Sequence, residues 1–170
     1  MAADAWLRQN VAGFKGSSGW MDKRGGYEYT SGTTSSFLGF HYNETGKLCI
    51  ELPKDLKGAA RLTRLLQHWA NAGHAPRYKL VDTDVLSGKL VKPDEFVKRY
   101  LDIYWEAMAD CGLYLAELQK TVGPIPKESL SFSGASPAIV GEMTPEEFIR
   151  QQPKVNEFLQ AKFTELKSSK

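Results

Sequence analysis

Lys54, Lys57, Arg61, Arg64 and His68 step along the chain by three, four, three and four residues, and Arg77 and Lys79 follow closely. On a helix, that spacing gathers the first five within an arc of roughly 80°. From Pro53 to Lys79 the only acid is Asp55. Cations aligned in this way neutralise successive phosphates, and the release of counterions drives association. Arg61 and Arg64 also have the fork geometry to grip phosphate or carboxylate through two bonds. These residues are the predicted anion- or nucleic-acid-binding set. The competing reading is a solvated face, or one paired with Asp102, Glu106, Asp110 and Glu117 of a later helix. Near-balance of charge, Lys+Arg 22 against Asp+Glu 20, supports that competitor. A helix-turn-helix needs a second helix after a short turn, whereas Arg77 to Val81 reads as a strand.

His41 and Cys49 form the second chemical pair. Leu38, Phe40 and Tyr42 alternate, as do Leu48, Ile50 and Leu52. Asn43-Glu44-Thr45-Gly46 between them suits a type I turn with Gly46 in the left-handed bulge position. That turn pairs Asn43 with Lys47, Tyr42 with Leu48 and Phe40 with Ile50, so His41 falls opposite Cys49. An imidazolium beside a thiol lowers its pKa and generates a nucleophile. Glu51 lies two residues along the same face. The competing reading is a sheet face covered by another element.

The stretch from Gly13 to Gly19, continuing to Gly25-Gly26, reads as a loop whose freed N–H groups can cradle phosphate. The phosphate-loop pattern itself is missing, because Gly46-Lys47 and Gly88-Lys89 are each followed by Leu. His41, His68 and His74 lack zinc spacing, so no metal and no cofactor are predicted. Gly32 to Ser36 is rich in hydroxyls without a nucleophile-elbow pattern. Trp105, Leu113, Trp20 and Met21 are the predicted partner-binding residues. Trp is enriched among interface anchors, and these four sit at the margin of an apolar arc, on a polar face or in the glycine-rich stretch.

The elements that must hold these residues follow from periodicity. Asp4 to Phe14 reads as a short helix ending at Gly13, and Tyr27 to Tyr29 as a short strand. A helix is predicted over Asp55 to Ala72, with Asp55 as N-cap and a buried stripe of Ala59, Leu62, Leu65, Leu66 and Trp69. Thr83 to Val91 reads as a turn or irregular strand. Pro93 to Thr121 dominates the chain. Val97, Tyr104, Cys111 and Leu118 repeat every seven residues beside Leu101, Met108 and Leu115, and beside Tyr100, Ala107 and Tyr114. Together they form an apolar arc roughly 160° wide, which suits a helix packed on several neighbours. Ile125 to Gly141 reads as a surface loop. Thr144-Pro145-Glu146-Glu147 is a capping box, and Pro153 separates it from an amphipathic helix carrying Val155, Phe158, Leu159, Phe163 and Leu166.

These elements predict a helix-rich α+β single domain with one long central helix and a small antiparallel sheet built on the hairpin 37–52. Residues 1–91 form its α/β part and residues 92–170 its helical part. The 170 residues are 42% hydrophobic and 25% charged, which excludes collagen-like, disulfide-framework and disordered classes. Two cysteines point to a reducing, intracellular compartment. No apolar run approaches the roughly 20 residues of a membrane span. Met1 to Lys15 lacks the basic start and apolar run of a secretory signal. Asn43-Glu44-Thr45, a glycosylation acceptor, is read as turn chemistry.

The resulting functional expectation is a non-enzymatic interaction protein: an accessory subunit, inhibitor or adaptor docking on a larger protein or nucleoprotein assembly. Its basic helix would face an acidic or nucleic-acid surface. The second reading is direct nucleic-acid binding through helix 54–72. The third is a small enzyme using Cys49 and His41.

Overall fold

Thirty residues from Pro93 to Val122 form the longest helix (α5 here), and the sequence accounts for both of its ends. Pro93 sits in the first turn, where its missing N–H costs nothing. Asp94 and Glu95 complement the positive end of the dipole and Lys120 the negative end. Gly123, at φ +84°, stops it. All three heptad rows are buried, and the helix runs unbroken through Gly112.

The computed structural model describes residues 2–32, 38–126 and 143–169. In chain order the elements are α1 (Ala2–Asn10), α2 (Ala12–Asp22), β1 (Tyr27–Gly32), β2 (Phe40–Tyr42), β3 (Leu48–Pro53), α3 (Gly58–Gly73), α4 (Ala75–Leu86), α5, α6 (Pro145–Arg150) and α7 (Pro153–Ser168). The fold is a helix-rich α+β arrangement in which α5 packs against α1, α2, α3, α4, α6 and α7. One cluster of buried apolar side chains extends from Leu7 to Phe163.

The hairpin has the predicted register: Phe40 pairs with Ile50, His41 with Cys49 and Tyr42 with Leu48. Asn43 N–H donates to the Lys47 carbonyl at 3.0 Å, and Gly46 takes φ +78°. Phe37, the first residue of the predicted hairpin, lies outside the described residues, as does most of the predicted 125–141 loop. A third strand makes the sheet mixed. β1 runs parallel to β3, with Tyr27 against Leu48, so the order is β1-β3-β2. Trp69 of α3 ties this sheet to the N-terminus. Its Nε1 donates to Tyr29 Oη at 2.9 Å, and the Tyr29 and Tyr27 hydroxyls both donate to Asp4 Oδ1.

Several predicted elements are corrected. The stretch from Gly13 to Gly19 is helix, not loop. Val11, Phe14, Ser18 and Met21 fall on one buried stripe, and that burial outweighs the roughly 1 kcal/mol that each interior glycine costs. The chain breaks earlier, at Val11, which is extended and separates α1 from α2. Arg77 to Val81 is likewise helical, and the helix runs on through Thr83 to Leu86. Tyr78, Val81 and Val85 are buried at helical spacing in α4, with Pro76 in its first turn. The helix predicted from Asp55 begins at Gly58, with Lys57 rather than Asp55 at the cap position. The capping box is present: Glu147 N–H donates to Thr144 Oγ1, and Thr144 N–H donates to Glu147 Oε2.

A candidate anion-binding groove

α2 positions the site's first wall. Trp20 lies on its last turn, and Arg24 follows one helical turn later, so the guanidinium folds back over the indole with Cζ 4.0 Å from a ring centroid. Gly25 and Gly26, both at positive φ, then turn the chain into β1. Across the groove the hairpin contributes Tyr42 and Lys47, while Ala72 and Pro76 come from the α3–α4 junction. Lys79, on the exposed side of α4, places Nζ 5.1 Å from the Tyr42 ring centroid. The cavity holds about 340 Å³, and none of its lining residues is an acid. Arg24 and Lys79 have no carboxylate partner among the described residues. Lys47 Nζ is 3.7 Å from Glu28 Oε2, with both side chains more than two-fifths exposed. An ion pair so hydrated is weakly held and readily exchanged.

Past Trp20, a second pocket of about 330 Å³ brings Ser17, His74, Asp110 and Tyr114 together. These residue types suggest a nucleophile, base and orienting acid, but the hydrogen bonds oppose that assignment. His74 Nε2 lies 2.9 Å from Asp110 Oδ2, and Nδ1 lies 3.1 Å from Arg77 Nη1. A guanidinium only donates, so Nδ1 accepts and Nε2–H donates to the carboxylate. Both nitrogens are thereby engaged, and Ser17 Oγ bonds instead to the Tyr114 hydroxyl. Burial pushes that phenol up to about 12, so Tyr114 is no base either.

The Cys49–His41 pair is adjacent across the strands, yet its surroundings oppose a thiolate. Cys49 is buried, and its Sγ donates to Glu28 Oε1 at 3.2 Å. Burial first, and the Glu28 carboxylate second, push the thiol up. His41 turns to Glu51, with Nδ1 3.5 Å from Oε1.

The predicted basic row is divided rather than continuous. Lys54, Lys57 and Arg61 are exposed. Arg64 is buried; its Nη1 donates to Gln67 Oε1 at 2.7 Å, and Gln67 Nε2 donates to Tyr104 Oη at 2.9 Å. His68 is wholly buried beside Gly39, and burial lowers its pKa to about 4. The neutral ring donates Nδ1–H to the Glu51 carbonyl at 2.7 Å. Arg77 forms a two-pronged bond with Glu106, as the competing reading anticipated. Lys79 lies beside the groove rather than in its lining, against the Tyr42 ring. Lys54, Lys57 and Arg61 lie near the opposite end of α3, about 20 Å from it.

The predicted partner-binding residues also separate. Trp20 lines the groove, Met21 is buried in the core beneath it, Trp105 is partly buried against the core, and Leu113 stands 65% exposed on α5. Sequence reasoning missed Arg24, Tyr42 and Lys47 as a group. The one available signal was the four-residue step from Trp20 to Arg24, which carries meaning only once a helix is known to end between them, at Asp22. No group of three or more His, Cys, Asp or Glu among the described residues is arranged to hold a metal. Among the same residues, no helix is long and apolar enough to cross a membrane. Comparison with protein-family models, curated proteins and solved structures returns no match.

Proposed function

We propose that the protein is a non-enzymatic interaction component that takes an anionic partner into the groove between α2, the hairpin and the α3–α4 junction. The observation that carries this reading is a cavity with no acid in its lining, where Arg24 lies on Trp20 without a carboxylate partner among the described residues. A cation over an exposed aromatic face is held by only about 0.5–1 kcal/mol, so it can turn from the ring to an incoming anion. The engaged nitrogens of His74 and the raised thiol of Cys49 favour binding over catalysis. Two unbridged cysteines suit a reducing compartment. The exposed Lys54, Lys57 and Arg61 supply a separate positive patch that extends the attraction for a large acidic surface.

The test is equilibrium binding of two labelled polyanions, a polyglutamate peptide and an oligonucleotide, at low and high salt. At least one is expected to bind, with affinity falling steeply as salt rises. Arg24→Ala combined with Lys47→Ala is expected to weaken it by about tenfold or more. Absence of binding to both, or binding indifferent to the double substitution, contradicts the proposal.

A further inference from the structure

Resting on the anion-binding reading of the groove, we infer that its occupant is single-stranded nucleic acid, with bases on Trp20 and Tyr42 and phosphates on Arg24, Lys47 and Lys79. The lining offers two aromatic rings, and each already carries a cation on its face: Arg24 over Trp20 at 4.0 Å and Lys79 over Tyr42 at 5.1 Å. Tyr42 is 36% exposed and Trp20 partly exposed, and both cations are on exposed side chains, so the ring faces open when the cations swing away. A nucleotide is the ligand that uses both parts at once. Its base presents a π-face to the ring, and its phosphate, one sugar away, takes up the displaced cation. An acidic peptide engages the cations alone. A duplex hides its bases in the stack and also meets only the cations.

The backbone of the hairpin turn excludes a different anion site. Thr45 and Lys47 donate their N–H groups to Asn43 Oδ1, and Gly46 donates to the Asn43 carbonyl. No amide cradle remains in that turn for an isolated phosphate, so on the hairpin side the anion is met by the long side chain of Lys47. The rim glycines Gly25, Gly26 and Gly46 have nothing within 4 Å of where a Cβ would stand, so a strand can pass over them unobstructed. The Thr45 hydroxyl proton is also engaged, donated to Asn43 Oδ1 at 2.8 Å. With few free groups to read base edges, binding is expected to be tolerant of sequence.

Fluorescence anisotropy with the whole chain tests this, using three labelled probes: oligodeoxythymidine, a duplex of the same length, and polyglutamate. The single strand is expected to bind about tenfold or more tighter than either other probe. Trp20→Ala is expected to cost about tenfold, while Trp20→Phe keeps most of the affinity because a ring remains. Tyr42→Thr, which removes the ring at an exposed edge-strand position where Thr suits the strand, tests the second ring should Trp20→Ala fail to fold, and is also expected to weaken binding of the single strand. Equal binding of the duplex or of polyglutamate overturns the inference and leaves the anion-binding reading standing. Full affinity in folded Trp20→Ala or Tyr42→Thr also overturns it. No binding of any probe overturns both.

Discussion

Gly13 lies so close to the Tyr114 ring that a methyl group on its α-carbon would stand 2.8 Å from two ring carbons. Its N–H also donates to Glu117 Oε2 at 2.9 Å. That approach fixes α2 against α5 and explains a glycine inside a helix. Gly16 and Gly19 differ: a methyl group on either α-carbon would meet no atom within 4 Å. Alanine at either is expected to stabilise the protein by about 0.5–1 kcal/mol, because only the chain entropy changes. Gly13→Ala is expected to destabilise it by about 1 kcal/mol, as overpacking exceeds the gain in helix propensity. Urea unfolding of the three variants reads this difference in sign.

His68 makes stability depend on pH. Burial holds its folded-state pKa near 4, against an ordinary value of 6.5. Between these values the unfolded chain binds a proton that the folded chain refuses. The contribution of His68 is therefore complete above about pH 6.5 and is lost as the pH falls towards 4, by about 3 kcal/mol. His68→Asn retains a donor for the Glu51 carbonyl and cannot titrate. The variant loses stability at all pH values from its smaller volume, but its pH slope over this window is expected to be flatter than that of the unaltered protein. Parallel slopes would contradict the assignment.

The two thiols are expected to be slow. Cys49 and Cys111 are both buried, and burial is the main cause raising each thiol. Alkylation of the folded protein at neutral pH should run about tenfold or more slower than in urea. Rapid modification of Cys49 alone would revive the Cys49–His41 enzyme reading.

Lys162 joins α7 to α4 and α5. Its Nζ donates to Asp82 Oδ2 at 2.9 Å and to Tyr100 Oη at 2.7 Å, while Tyr100 donates to Asp82 Oδ1. Lys162→Met keeps the apolar stem and removes the charge beside a partly buried carboxylate. The expected cost is about 1–2 kcal/mol, readable as a lower urea midpoint at an unchanged slope.

What the sequence made legible was whatever a local pattern determines alone. The seven-residue rows of α5 lie on one buried face because helical spacing places them there, and the turn from Asn43 to Gly46 sets the hairpin register through its own hydrogen bonds. Tertiary contacts overrode local signals elsewhere. Glycines that read as loop became helix once Phe14 and Met21 could be buried. β-branched and aromatic residues in α4 read as a strand until Tyr78 and Val81 met the core. The parallel pairing of β1 with β3 is a long-range choice that no local pattern encodes. The groove was hidden for the same reason, since Trp20, Tyr42 and Pro76 come from three separate elements.

The most direct measurement is an amide and indole NMR titration of the folded chain with oligodeoxythymidine. Shifts are expected to concentrate at the Trp20 indole, at Arg24 to Gly26 and at Tyr42 to Lys47, with Lys54 to Arg61 changing less. Shifts confined to Lys54 to Arg61, or a spectrum unaltered at saturating oligonucleotide, would contradict single-strand binding in the groove.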